Sequence, residues 1–221
     1  MNIRNYRMIK SWYKLIAIMI ALTLSAVSQA DDNRDLDLLD AIKANDTKLA
    51  KTIIDSGLDL DYEINGSPLI LAIKSKNIEL IEYLLLKGAD PEYQGYFYYL
   101  PLHLAIYMKS NEAVEQLLKY DIDLNGRITG AIGNTALILA AEFGDIALFK
   151  MLLDAGADIA KTDNYKDQAL AFAAFHGQLE MVKYIVSLKV DITHKNVNGL
   201  TAFDHATRAN HEDIAEYLGA L

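Results

Sequence analysis

Cysteine is missing from all 221 residues of the chain. Its absence excludes disulfide bonds and lipid attachment to a cysteine side chain, and it argues against a structural zinc site. The folded part of the chain must therefore be stabilised by the burial of apolar side chains alone. A domain of about 190 residues is large enough to be stabilised in this way.

Acidic residues are missing from the first thirty positions, which differ from the rest of the chain. This segment carries four basic residues, Arg4, Arg7, Lys10 and Lys14, and then an uncharged run from Leu15 to Ala30. The run is 16 residues long, shorter than the roughly 20 apolar residues that a membrane-spanning helix needs. Small residues at Ser28 and Ala30 complete the pattern of a secretory signal peptide over 1–30, with cleavage near Ala30. The competing interpretation is an uncleaved membrane anchor.

Basic residues are too few to balance the acidic ones. The chain has 21 Lys and Arg against 30 Asp and Glu, a net charge of −9. Removal of residues 1–30 takes away four basic residues and no acid, which leaves a net charge near −13. Such a chain is a poor candidate for binding nucleic acid or anionic membrane surfaces. We therefore expect an exported protein, periplasmic or secreted, with no nucleic-acid partner and no stable membrane insertion after cleavage.

Recognisable catalytic and metal-binding motifs are also missing. None of the five histidines forms an i, i+4 pair with another, and no glycine-rich phosphate loop, serine elbow or paired catalytic carboxylates stand out. The sequence therefore predicts no metal, no cofactor and no enzymatic activity.

A repeated pattern fills the remainder of the chain. Each copy has a turn, a short apolar helix with a small residue near its end, a second apolar helix and a Gly-x-Asp exit. One alanine of the first helix recurs at spacings of 31, 33, 35, 33 and 33 residues, at Ala41, Ala72, Ala105, Ala140, Ala173 and Ala206. Because one such helix pair cannot bury its own apolar surface, neighbouring copies must stack. We predict one domain over 31–221 with repeats at about 36–62, 63–94, 95–128, 129–162, 163–195 and 196–221.

The residues that follow the second helix of each copy are predicted to have a left-handed backbone conformation. Gly57, Gly88 and Gly156 follow these helices, where a left-handed residue commonly ends a helix. Asp121 and Lys189 occupy the same place in two other copies. We expect backbone strain at both, because a side chain disfavours that conformation.

The strings PLHLA from Pro101, GADI from Gly156 and NGLTAFDHA from Asn198 resemble the signature of the ankyrin-repeat family. The resemblance extends from about Leu36 to Leu221. It implies an all-α ankyrin-repeat solenoid of stacked helix pairs with β-hairpin-like fingers. For His103 it implies a turn-stabilising hydrogen bond, whereas His205 replaces an apolar residue and is expected to be partly buried in the core.

The same resemblance implies that partners contact the fingers and the two positions after the small pair of each inner helix. In the middle three repeats these positions carry Tyr107, Met108, Phe143 and Phe175, whereas in the outer repeats they are polar or small. The predicted protein-binding residues are Tyr96, Phe97, Tyr99, Tyr107, Met108, Ile132, Phe143, Tyr165, Phe175 and His176. Large apolar patches of this kind are typical of binding surfaces. Packing of these rings against their own fingers is the alternative.

The sequence thus favours a non-enzymatic protein–protein interaction module of a bacterial periplasm, with an inhibitor, immunity or assembly role. Its protein partner is unidentified, and a homodimer formed through the aromatic patch is a further alternative. A second hypothesis is a small-molecule or glycan-binding protein that uses the same groove, since aromatic rings also stack on sugars. A third is a membrane-anchored scaffold that retains residues 1–30.

Overall fold

The computed structural model of the protein describes residues 34–62, 67–93, 100–128 and 132–221. The predicted signal peptide and the finger residues 94–99 lie outside them. The chain divides into two compact units, which meet in sequence at Asp59 and Leu60. The described part of the chain forms twelve helices and no strand, so the prediction of an all-α fold is confirmed.

The described residues of the first unit form two helices, α1 over residues 34–43 and α2 over Thr47–Ile54. Asp46 caps α2 by accepting a hydrogen bond from the Leu49 amide at 2.9 Å. Ala50 and Ile54 are buried on one side of α2, which gives the helix an apolar face.

The described residues of the second unit form ten helices in five consecutive pairs. They are α3 Pro68–Lys74, α4 Ile78–Leu86, α5 Pro101–Tyr107, α6 Asn111–Leu117, α7 Ala136–Phe143, α8 Ile146–Asp154, α9 Ala169–Phe175, α10 Leu179–Ser187, α11 Ala202–Arg208 and α12 Glu212–Gly219. Odd-numbered (inner) helices pack on one another in the order α3, α5, α7, α9 and α11, and each also packs on the even-numbered (outer) helix that follows it. This arrangement confirms the predicted stack of helix pairs.

The recurring alanine lies at the centre of the stack. Ala72, Ala105, Ala140, Ala173 and Ala206 are all fully buried. A methyl side chain at this point lets one inner helix approach the next closely. The spacing seen in the sequence therefore has a steric cause.

Side-chain caps begin several of these helices. Ser67, Thr135 and Thr201 each accept a hydrogen bond from the amide three residues later. In addition, the Asp204 carboxylate accepts a hydrogen bond from the Thr201 amide at 2.8 Å. α5 and α9 lack such a cap, because Leu100 and Gln168 occupy the capping position.

An aspartate at the exits of four outer helices has a local role. The Oδ1 atoms of Asp90, Asp123, Asp158 and Asp191 each accept a hydrogen bond from the amide two residues later, at 2.8–2.9 Å. This Asx-turn fixes the direction in which the chain leaves the outer helix.

Left-handed residues follow most, but not all, outer helices. Gly88, Gly156 and Lys189 have φ values of 98°, 103° and 61°, so strain at Lys189 is confirmed. The prediction for Asp121 is wrong, since this residue does not have a positive φ. The chain instead turns just after α6, where the Tyr120 amide donates to the Leu117 carbonyl at 3.1 Å.

Hairpin-like fingers connect the later helix pairs. The Asp163 amide donates to the Asp167 carbonyl, and the Asn196 amide donates to the Leu200 carbonyl, both at 3.0 Å. Neighbouring fingers are also joined, because the Asn164 amide donates to the Ile132 carbonyl at 2.9 Å. These bonds hold the fingers side by side along one side of the inner helices.

Candidate protein-binding groove

A cavity of about 440 Å³ lies between the fingers and the inner helices. We call it the central groove. Its lining residues are Tyr107, Ile132, Asn134, Glu142, Asp163, Tyr165, Asp167, Ala171, Phe172, Phe175, His176 and His205. They come from helices α5, α7, α9 and α11, from the C-cap of α9 and from two fingers, so the groove is shared by several repeats.

Large apolar side chains line the groove while remaining exposed. Tyr107, Ile132, Tyr165 and Phe175 are 37%, 49%, 45% and 48% exposed, respectively. A monomeric protein rarely leaves several such side chains around one cavity without a binding role. The Phe175 ring contacts the His205 ring at 6.2 Å in an edge arrangement, which orients its exposed face.

The structure brings together half of the sequence-predicted site residues. Tyr107, Ile132, Tyr165, Phe175 and His176 all line the central groove.

Two further predicted residues lie beside the groove and do not line it. Phe143 is half-buried, packs edge-on against Tyr107 at 5.8 Å and lines a smaller cavity of about 120 Å³. Met108, the C-cap of α5, is half-buried. Tyr96, Phe97 and Tyr99 lie outside the described residues, and their binding role stays a prediction.

The finger loops are built by one side chain each. Asp163 Oδ1 accepts hydrogen bonds from the Tyr165 amide at 2.8 Å and from the Asp167 amide at 2.7 Å. Asn196, 33 positions later, accepts the equivalent bonds from the amides of Asn198 and Leu200 at 2.9 and 3.0 Å. The two loops therefore share a shape, and Tyr165 is held at the tip of the first.

A polar network closes one end of the groove. Asp167 Oδ1 lies 2.9 Å from His205 Nε2, and Asp167 Oδ2 accepts a hydrogen bond from Asn196 Nδ2 at 2.9 Å. The network links a finger, the next finger and helix α11. His205 is partly buried, as expected, but it lines the groove and bonds to Asp167 instead of lying in the apolar core.

A second polar cluster lies on the side of α7. Asn134 Nδ2 donates to Glu142 Oε2 at 3.3 Å, and His176 Nε2 lies 3.9 Å from Glu142 Oε1. Gln178 Nε2 donates to the Glu142 backbone carbonyl at 3.1 Å, which joins α7 to the start of α10. Both the side chain and the backbone carbonyl of Glu142 are therefore held by neighbouring residues.

Burial raises the pKa of Asp163, because the ionised carboxyl loses its hydration, and the nearby Asp167 charge adds to this effect. The amides of Asp167 and Tyr165 and the Arg127 guanidinium lower the pKa but do not outweigh burial. A cation close to this carboxyl group would therefore stabilise its ionised form.

Sequence reasoning missed the polar part of the groove. Glu142 follows the small pair of α7 and precedes Phe143. This position indicated that its side chain is exposed, but it did not indicate that other carboxylates line the same groove. Asp163 and Asp167 could be found only by aligning their finger with the loop that Asn196 caps. Their approach to Glu142 depends on how the fingers lie over the inner helices.

Within the part of the chain that the structure describes, no three histidine or acidic side chains are grouped as metal ligands would be. Among the described helices, none is both long and apolar enough to span a bilayer.

Stacked helix pairs connected by fingers define a repeat protein of the solenoid class. The profile of the family described as "Ankyrin repeats (3 copies)" matches residues 38–128, 93–163 and 137–220. The chain belongs to the ankyrin-repeat family.

Relatives with curated names share the repeats. The chain is 31% identical to the putative ankyrin repeat protein FPV022 of fowlpox virus over 185 residues, which are 82% of this chain and 29% of that protein. It is 31% identical over 142 residues to human transient receptor potential cation channel subfamily A member 1, covering 62% of this chain and 12% of the channel. The chain thus spans less than a third of the length of either relative.

A solved structure has the same fold. It is that of the "Bd0816 Predatory Endopeptidase from Bdellovibrio bacteriovorus in complex with immunity protein Bd3460", and one of its chains superposes with a TM-score of 0.76. The sequences are 23% identical, and the match covers 83% of this chain and 97% of that one.

Proposed function

We propose that the protein is a non-enzymatic interaction module of a bacterial periplasm, which holds a protein partner on the central groove. The observation that carries this proposal is the set of exposed apolar side chains around one cavity, drawn from helices α5 and α9 and two fingers. Aromatic side chains of this kind dominate the binding energy of many interfaces.

We further propose an inhibitor or immunity role towards an exported enzyme. The similar solved complex pairs an endopeptidase with an immunity protein, which supports a role of this class. The acidic charge of the chain favours partners with a basic surface around the contact. The predicted export signal would place this chain in the compartment where such an enzyme acts.

A second candidate is the binding of a small molecule or glycan in the same groove. The cavity volume of about 440 Å³ falls within the range of small-ligand sites, roughly 300–1,000 Å³. A ligand that raises the melting temperature in a screen, with no protein captured, would favour this candidate.

The test is affinity capture from the envelope fraction of the native host, with the full-length chain tagged at its carboxyl terminus. We expect the Tyr165→Asp, Phe175→Asp double variant to lose a protein that the wild type captures, because two charges would enter an apolar contact. Leu86→Asp is the matched control, since Leu86 is 72% exposed at the end of α4 and does not line the groove. It should capture the same protein as the wild type.

Circular dichroism and thermal melting accompany the capture. Both the double variant and the control should keep the wild-type helical content and nearly its melting temperature. Unfolding of the double variant would show that the two rings are core residues, and undiminished capture by a folded double variant would contradict the proposed surface.

A further inference from the structure

The groove contains a buried hydrogen-bond acceptor with no donor among the described residues. Asn134 lines the groove and is 3% exposed, and its Oδ1 atom receives no hydrogen bond within the described part of the chain. Its amide nitrogen is already engaged with Glu142 Oε2. A buried acceptor without a donor is costly. This atom has almost no accessible surface, so a ligand N–H group would gain this bond only when the Asn134 side chain turns towards the groove.

The surroundings of Asn134 are negatively charged. Glu142, Asp163 and Asp167 also line the groove, whereas no lysine or arginine occurs among its described lining residues. The Arg127 guanidinium donates to the Asp163 carbonyl and to Asn164 Oδ1, at 3.4 and 3.2 Å. Asp167 is paired with His205 at 2.9 Å, whereas the contact of Glu142 with His176 is longer, at 3.9 Å, and the Glu142 side chain is 23% exposed. Glu142 is therefore the carboxylate best placed to meet a ligand, and Asp163, whose Oδ1 atom accepts bonds from backbone amides, adds negative charge to the same groove.

The loop does not require the charge of Asp163. Asn196 makes the equivalent pair of hydrogen bonds in the next finger with a neutral amide oxygen. A carboxylate at position 163 therefore adds a charge, itself only 2% exposed, that the local backbone could do without. Its presence in the same groove as Asn134 and Glu142 needs a reason other than loop formation.

The walls of the groove suit a flat cation. Tyr107, Tyr165 and Phe175 supply aromatic faces, on which a guanidinium group stacks favourably. Arginine also carries five N–H donors in one plane, enough to reach Asn134 and a carboxylate together. Lysine offers three donors from a single point and no plane to stack.

From this combination we infer that the central groove accepts an arginine side chain of the protein partner. The inference rests on the proposed function, in which a protein occupies the groove, and adds which chemical group enters it. The guanidinium would donate to Asn134 Oδ1 and to the carboxylates of Glu142 and Asp163, between the aromatic side chains.

The test uses the purified exported protein and three blocked tripeptides as probes: Gly-Arg-Gly, Gly-Lys-Gly and Gly-citrulline-Gly. Citrulline keeps the shape of arginine but has no charge. In ¹H–¹⁵N NMR titrations we expect the arginine probe to shift the amides of Asn134, Tyr165 and Ala171 saturably. The lysine probe should bind more weakly and the citrulline probe about tenfold more weakly or not at all. Added salt should weaken the arginine probe.

Two charge-removing variants and one control assign the effect to the groove. Glu142→Gln and Asp163→Asn should each raise the dissociation constant of the arginine probe by about tenfold. Both keep an acceptor oxygen, so the loop and the Asn134 contact are preserved. Glu115→Gln makes the same charge change at an exposed position of α6 that does not line the groove, and it should bind the probe like the wild type.

Equal binding of the citrulline and arginine probes would overturn the inference, as would shifts confined to residues outside the groove. If Asp163→Asn fails to fold, Glu142→Gln alone decides. Failure of this inference differs from failure of the proposed function. Suppose that both charge variants capture the partner and the Tyr165→Asp, Phe175→Asp variant does not. The proposed function would then stand, and the inference that an arginine side chain enters the groove would be rejected. If the arginine probe binds but no protein is captured, the groove is still a site for arginine, and the proposal of a protein partner is rejected.

Discussion

At the scale of single residues, His103 shows how burial controls an ionisable group. The ring is fully buried at the third position of α5. Backbone groups of Asn134 and Gly126 favour protonation, but neither ring nitrogen makes a well-aligned hydrogen bond within the described residues. Loss of hydration dominates and lowers the pKa of His103 to about 4. His103 is therefore a neutral, buried imidazole, and the turn-stabilising hydrogen bond that the resemblance implied is not seen with good alignment among the described residues.

A stability measurement checks this assignment. The pKa falls from 6.5 in the unfolded chain to about 4 in the folded one, so between these values the unfolded chain binds more protons. The contribution is present above pH 6.5 and is lost as the pH falls towards 4. Between pH 7.5 and 4.5, the free energy of unfolding of the wild type should fall by roughly 2.5 kcal/mol more than that of His103→Gln. Urea unfolding at both pH values measures this difference.

The other ionisable groups are the same in the wild type and in His103→Gln, so the difference between them isolates the contribution of His103. Equal losses in the two proteins would mean that the ring is protonated in the fold or is hydrated.

At the scale of structural elements, the ends of the outer helices differ in conformation. α8 ends before Gly156 with φ of 103°, and α10 ends before Lys189 with φ of 61°. A side chain in left-handed backbone is disfavoured by contact of its Cβ with the neighbouring carbonyl. Asp121 escapes this cost because the chain after α6 turns without a left-handed residue at that point.

A reciprocal exchange tests the cost. Lys189→Gly should raise the free energy of unfolding by about 1 kcal/mol, because glycine adopts this backbone without strain. Gly156→Lys should lower it by at least as much. A Cβ at Gly156 would meet no atom within 4 Å, so the loss would be conformational and not steric. Thermal and urea unfolding of both variants give the values, and a change of the same sign in both would contradict the explanation.

At the scale of the whole molecule, the location of the protein depends on whether residues 1–30 act as the signal peptide that the sequence predicts. Residues 1–30 are basic and then apolar, whereas the repeats are acidic. We expect intact-mass spectrometry of the protein from its native host to show a chain that begins at Asp31. Detection of the chain from Met1 in the membrane fraction would instead support the anchored scaffold, with the groove tethered to a bilayer.

The repeat architecture was predictable from the sequence, because stacking needs the same residue at the same place in every copy. Ala140 and Ala173 are both fully buried for the reason that their spacing suggested. The apolar half of the groove was predictable as well, since Tyr107 and Phe175 occupy equivalent places on α5 and α9. The bounds proposed for the individual repeats stay predictions.

The sequence by itself determined the family, the helix pairs and the candidates for exposure, because these depend on short-range periodicity that recurs along the chain. Only the tertiary structure decided which side chains share a cavity. Glu142 and Asp163 are 21 positions apart and belong to a helix and a finger. They line one groove because the fingers bend back over the inner helices and bond to each other there. Distances across such a bend follow from packing, which no single repeat encodes.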